Sequence, residues 1–169
     1  MTSDMSIDAQ TATALADALC EAETSRSPIA PLTDDRPTLT VDDAYAIQTV
    51  NTQRKLATGG RIVGRKVGLT SLAMQQQLGV NQPDYGAITD DMLAQAPTTV
   101  DVSVLIAPRV EGEFAFRVGR DVKAGSYTLA DLREIVDAVY VSMEIIDSRI
   151  ANWKIKLADT VADLASNGA

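Results

Sequence analysis

Three glutamates are the residues whose type and spacing first suggest chemistry in this 169-residue chain. Read as a strand, residues 109–118 place Val110, Gly112, Phe114, Phe116 and Val118 on one face, expected to be core. Arg109, Glu111, Glu113, Ala115 and Arg117 fall on the other face. Two carboxylates side by side either form a solvated face or grip a cation, because their repulsion calls for positive charge between them. Glu144 stands in the apolar run Val139-Tyr140-Val141-Ser142-Met143-Glu144-Ile145-Ile146. A carboxylate there is costly unless neutralised, so it is either half of a buried ion pair, with Arg149 or another base, or a third ligand beside Glu111 and Glu113. Three carboxylates without His or Cys make an all-oxygen set, which suits Mg²⁺ or Mn²⁺ rather than Zn²⁺. Lys66 shares a strand face with Ile62, Gly64 and Gly68. Flanking glycines leave room for a ligand, or mark a kinked edge strand with a solvated lysine. Gly64-x-x-x-Gly68 lacks phosphate-loop spacing, so it does not read as a nucleotide site.

Composition closes several other routes. The chain has no histidine, which removes imidazole bases, Ser-His-Asp triads and His-ligated zinc. Its one cysteine, Cys20, removes disulfide frameworks and thiolate metal sites. A net charge of -8 repels phosphate backbones, so nucleic acid is not an expected partner. The polar, acidic start does not read as a signal peptide, and no apolar run reaches the roughly 20 residues that span a bilayer. A cytoplasmic protein without a membrane partner is the expectation.

The elements that must position these residues follow from periodicity and caps. Residues 8–25 predict a helix with Ala12, Leu15, Ala16 and Leu19 on one stripe. A proline-punctuated loop spans 27–37, and Thr40 then caps a second helix that ends at Gly59-Gly60. Residues 1–60 thus read as an N-terminal helical subdomain, and 61–169 as a strand-built core. Within the core, strands are predicted at 61–69, 98–106, 109–118 and 138–146, and a turn at 82–86. Short helices are predicted over 70–78, after Thr128, and over 159–165. The class is α+β. About four strands are too few for a closed barrel. A second subunit completing the sheet, or a C-terminally truncated chain, is therefore expected, and with it association or aggregation of this form alone.

Several blocks together resemble a known family. They are Gly64-Arg65-Lys66-Val67-Gly68-Leu69-Thr70-Ser71, Gln82-Pro83-Asp84-Tyr85-Gly86 and Glu111-Gly112-Glu113-Phe114-Ala115-Phe116. Met143-Glu144-Ile145-Ile146-Asp147-Ser148-Arg149-Ile150, Asn152-Trp153-Lys154 and Asp159-Thr160-Val161-Ala162-Asp163 follow in the same order. The set is similar to the 2-keto-4-pentenoate hydratases, a group that includes 2-oxohept-3-enedioate hydratase and 4-oxalocrotonate decarboxylase, within the fumarylacetoacetase-like superfamily. The resemblance implies a mixed β-roll of that superfamily's type, incomplete in this chain.

It also implies roles. Glu111, Glu113 and Glu144 match the family's divalent-metal ligands, for Mg²⁺ or Mn²⁺. Lys66 matches the active-site lysine, Asp84 an acidic residue near the substrate, and Ser166 a serine that helps hold the substrate carboxylate. Leu164 stands where the family usually carries Asn. The implied substrate is a small 2-hydroxy-dienoate or its 2-oxo tautomer, produced in meta-cleavage of aromatic rings and hydrated to a 4-hydroxy-2-oxoacid. Decarboxylation of a 2-oxo-hexenedioate on the same site is the alternative, and a non-catalytic truncated paralogue or fragment the competitor from another class. Acylpyruvate hydrolysis ranks below these, because the superfamily's hydrolases usually rely on a histidine. A homo-oligomer, or a hydratase–decarboxylase complex, is the implied assembly.

Overall fold

The computed structural model describes residues 6–94 and 99–168. Helix α1, Ala9–Ser25, starts where the Asp8 carboxylate accepts the Thr11 amide at 2.7 Å and ends at left-handed Arg26. After the single turn α2, Leu32–Asp35, helix α3 runs Val41–Ala57 behind a capping box of Thr40 and Asp43. Gly59, at φ +98°, turns the chain out of α3 with a backbone that only glycine adopts freely. α1 packs on α3, and α3 packs on α6, Leu157–Ala162. Their interface is built from small residues: Ala12, Ala16, Ala44, Ala158 and Ala162 are buried with Leu19, Ile47 and Val161. No helix among the described residues is long and apolar enough to cross a membrane.

Polar side chains lock this helical body from within. Gln48 Nε2 donates to the Val161 carbonyl at 2.7 Å, and Asn51 Nδ2 to the Ala16 carbonyl at 3.0 Å. Buried Asp159 accepts from the Thr33 amide and hydroxyl at 3.0 and 2.8 Å. Asp43, fully buried, accepts from Ser6 N and Oγ at 2.8 and 2.7 Å, and from Thr40 N and Oγ1 at 2.9 and 2.7 Å. Burial alone would raise its carboxyl; the bonds from Ser6, Thr40 and Ile7 outweigh burial and hold it well below the usual 3.8. A depressed folded-state value means stability present above about pH 4 and lost as pH falls. Asp43→Ala is therefore expected to cost about 2–3 kcal/mol in urea melts at pH 7. The gap to wild type should narrow below pH 4, and a gap independent of pH would refute the charge-based account.

The strands form two ribbons. β1, Ile62–Gly68, pairs antiparallel with β2, Asp84–Thr89, with Lys66 opposite Gly86 and Gly68 opposite Asp84. Helix α4, Leu72–Leu78, links them and closes on left-handed Gly79. The second ribbon pairs β3, Arg109–Val118, with β4, Val136–Ile146, and helix α5, Leu129–Ile135, lies between them in sequence. Residues 110–145 form one compact unit; residues 1–109 with 146–169 form the other.

Five readings need correction. The expected loop at 27–37 contains the helical turn α2, Leu32–Asp35, because Pro31 stands at its N-cap and not inside it. The expected turn at 82–86 is the start of β2, because Pro83 sits just outside the strand and Tyr85 and Gly86 pair with Val67 and Lys66. The expected strand at 98–106, whose first residue lies outside the described residues, contains a 3₁₀ turn at Val102–Val104 instead. There the Asp101 side chain takes the Ser103 amide at 2.9 Å, and Asp147 takes the amides of Ile106 and Ala107 at 2.9 and 2.7 Å, removing them from any ladder. The expected helix over 159–165 ends at Ala162, and a left-handed turn follows it. The expected core face of β3 is exposed, with Phe114 at 68% and Phe116 at 61%, since a two-stranded ribbon has no second layer of its own.

Candidate active site

Strand alternation places Glu111 and Glu113 on one face of β3, and β4 brings Glu144 beside them. One carboxylate oxygen from each lies within 4.8 Å of the others. Oxygen ligands sit about 2.0–2.6 Å from Mg²⁺ or Ca²⁺, so a gap of that size can be bridged by one shared cation. The donors are all hard oxygens, which fits such an ion and excludes tight thiolate or imidazole coordination. The Ser142 hydroxyl donates to the Glu113 carbonyl at 3.2 Å, and Arg117 Nε to Asp137 at 2.7 Å, both tying β3 to β4 around the acids. Glu144 is half-buried, with one carboxylate oxygen shielded from solvent, and Val141 and Met143 beside it are exposed.

Lys66 and Asp84 lie on one face of the β1–β2 ribbon, because Gly68, two residues from Lys66 on β1, pairs directly with Asp84. Lys66 is half-buried and Asp84 is 4% exposed. A methyl at Gly68 would overlap Asp84 Oδ1, so this glycine makes the room that Asp84 occupies. If Asp84 belongs to the chemistry, Gly68→Ala, which displaces its carboxyl, should cut turnover about 100-fold or more. Unchanged steady-state kinetics would remove Asp84 from the chemistry. Behind β2, the Tyr45 ring stacks on Tyr85 at 4.5 Å, and its hydroxyl oxygen accepts the Tyr85 amide at 3.2 Å. Burial raises the Tyr45 phenol above its usual 10, which keeps it neutral in that role.

Ser166 reaches the same ribbon through a tight approach. A Cβ at Gly86 would stand 2.5 Å from the Leu164 carbonyl oxygen, so the turn 164–166 rests directly on the glycine opposite Lys66. Asn167 Nδ2 fastens the turn by donating to the Ala87 carbonyl at 2.8 Å. The Ser166 hydroxyl is buried and has no hydrogen-bond partner among the described residues. The two groupings are thus Glu111, Glu113 and Glu144 on one ribbon, and Lys66, Asp84 and Ser166 around the other.

Sequence reasoning missed the buried pair at the foot of this turn. Arg149 pairs with Asp163, at side-chain exposures of 4% and 2%. The Arg149 amide donates to Asp163 Oδ2 at 2.9 Å. Both residues lie in the quoted sequence blocks, but nothing local in their spacing of fourteen residues marks them as partners.

No family model matches the chain. It is 51% identical over 153 residues to 2-keto-4-pentenoate hydratase of Paraburkholderia xenovorans, covering 90% of this chain and 57% of that protein. It is 43% identical over 155 residues to a 2-hydroxypent-2,4-dienoate hydratase of Pseudomonas putida, covering 91% and 70%. Its fold superposes on 4-oxalocrotonate decarboxylase from Pseudomonas putida, solved with magnesium and adipate, at a TM-score of 0.92 and 35% identity. That match covers 97% of this chain and 62% of the decarboxylase. A second structure of the decarboxylase, with calcium and acetate, matches at 0.89. The chain spans little more than half the length of the first of these relatives.

Proposed function

The chain belongs to the 2-keto-4-pentenoate hydratase family, and from that membership we propose that it serves the metal-dependent hydration of a short 2-hydroxy-dienoate to a 4-hydroxy-2-oxoacid. The observation that carries the reading is the convergence of Glu111, Glu113 and Glu144 within 4.8 Å, an oxygen-only donor set in a chain without histidine. Those three residues would hold Mg²⁺ or Mn²⁺; when bound, the cation supplies Lewis-acid charge for the substrate's carboxylate and C2 oxygen. Support for a divalent ion comes from the magnesium and calcium named with the decarboxylase structures.

The chain's own groups handle the rest. The Ser166 hydroxyl, buried with a hydrogen bond still to give, donates to the substrate carboxylate. Lys66, an ammonium on the glycine-flanked face of β1, contacts the substrate oxygen or passes a proton. Asp84 acts as its acid–base partner or orients the water. Hydration places a proton at C5 and a hydroxyl at C4, so one water is consumed and nothing is oxidised. Decarboxylation of a 2-oxo-hexenedioate is the second reading, favoured by the fold match to the decarboxylase. Homo-oligomerisation, or pairing with a decarboxylase partner, completes the proposal and draws support from the exposed apolar residues of β3 and β4.

The deciding assay incubates the protein with Mg²⁺ and 2-hydroxypenta-2,4-dienoate and follows loss of the dienoate absorbance. A parallel run uses 2-oxohex-3-enedioate and measures CO₂. Dienoate loss that EDTA abolishes is expected. CO₂ release without hydration would select the second reading, and EDTA-resistant turnover would overturn both.

A further inference from the structure

The turn that carries Ser166 runs against the local preference of its residues. Leu164, Ala165 and Ser166 have φ values of 53°, 54° and 58°, and none is glycine. L residues enter this left-handed region singly, and rarely in succession. Such a run persists only where its surroundings over-determine it.

Arg149 grips it at both ends. Its Nε donates to Asp163 Oδ1, and its Nη2 donates to the Asp163 carbonyl at 2.8 Å, immediately before the turn. Its Nη1 donates to the Asn167 carbonyl at 2.7 Å, immediately after it. The Ser166 carbonyl in turn accepts the Asp147 amide at 3.0 Å. Arg149 is too deeply buried for water to compete for these bonds.

We propose that Arg149 is a positioning residue whose guanidinium fork spans residues 164–166 and sets the Ser166 hydroxyl for the substrate carboxylate, a role that rests on the assignment of Ser166 above. A planar fork with several fixed donors can hold two carbonyls and a carboxylate at once, which a lysine ammonium on a flexible stem does not reproduce. Arg149→Lys therefore keeps the charge facing Asp163 and loses the span.

The test combines amide hydrogen exchange with binding of 2-oxopentanoate, an unreactive 2-oxo acid, in the presence of Mg²⁺. It compares wild type, Arg149→Lys, Ser166→Ala and the double variant. In Arg149→Lys, exchange at Ser166 and Asn167 should rise about tenfold while α1 and α3 amides keep their rates. The dissociation constant for 2-oxopentanoate should rise about tenfold in each single variant, with Mg²⁺ affinity unchanged. The double variant should bind no more weakly than the weaker single one, since both changes remove the same contact. Adding Ala165→Gly to Arg149→Lys relieves the left-handed backbone and should recover part of the binding, and the fold if Arg149→Lys alone is unstable.

Arg149→Lys that lowers protection everywhere yet binds 2-oxopentanoate as wild type does would overturn the proposal, as would fully additive losses in the double variant. If Ser166→Ala binds normally while the turn amides of Arg149→Lys still exchange faster, the assignment of Ser166 is wrong and the positioning role falls with it. Wild-type protein that binds Mg²⁺ but no 2-oxopentanoate would sink the functional reading and this role together.

Discussion

Replacing Glu144 with glutamine is expected to abolish turnover and Mg²⁺-dependent thermal stabilisation while leaving the metal-free melt almost unchanged. Three carboxylates converge within 4.8 Å, and a divalent ion held by them depends on their summed negative charge. Glutamine keeps the size and removes the charge. The change also relieves repulsion among the three converging acids, so the metal-free melt should not fall. Glu111→Gln should behave the same way, and the double variant should lose no further affinity once the site is gone. Calorimetric Mg²⁺ titration and differential scanning of apo protein read the two effects separately. A large drop in apo stability with Mg²⁺ affinity intact would make Glu144 structural.

Asp163→Asn should have the opposite profile. It leaves Arg149, at 4% side-chain exposure, as a buried cation without its counter-charge. Breaking one partner of such a pair costs about 3–5 kcal/mol, far more than removing both ions would. Urea melts of the metal-free protein should show the full loss, whereas Mg²⁺ binding by the folded fraction should persist. A loss below about 1 kcal/mol would mean that the pair is solvated as surface pairs are, contrary to its burial.

Much of the helical body was legible from local signals. Thr40 and Thr128 each cap a helix where their side chains were expected to, and the helix expected over 70–78 is α4, closed by Gly79. The shared strand face of Glu111 and Glu113 was also legible, because alternation along a strand is a local property. What stayed hidden depends on partners far away in sequence. β2 was masked by Pro83 and exists because β1 pairs with it. The loop at 105–107 is shaped by Asp147, forty residues on. The left-handed turn at Leu164-Ala165-Ser166 has no glycine to announce it, since Arg149 imposes it from outside. The core face expected on β3 failed for a related reason: alternation says which residues share a face, and it cannot say what covers that face.

The small residues between α1, α3 and α6 carry a thermal consequence. Ala12, Ala16, Ala44, Ala158 and Ala162 let the helices approach closely, but each removes little hydrocarbon from water. Asp43, Gln48, Asn51 and Asp159 meanwhile bury polar groups in the same body. Exposing apolar surface raises the heat capacity of unfolding and exposing polar surface lowers it. The heat-capacity increment should therefore fall at or below the usual range of about 12–15 cal/mol/K per residue. The stability curve against temperature should then be broad, and the helical body should resist cold better than a leucine-rich core of equal size.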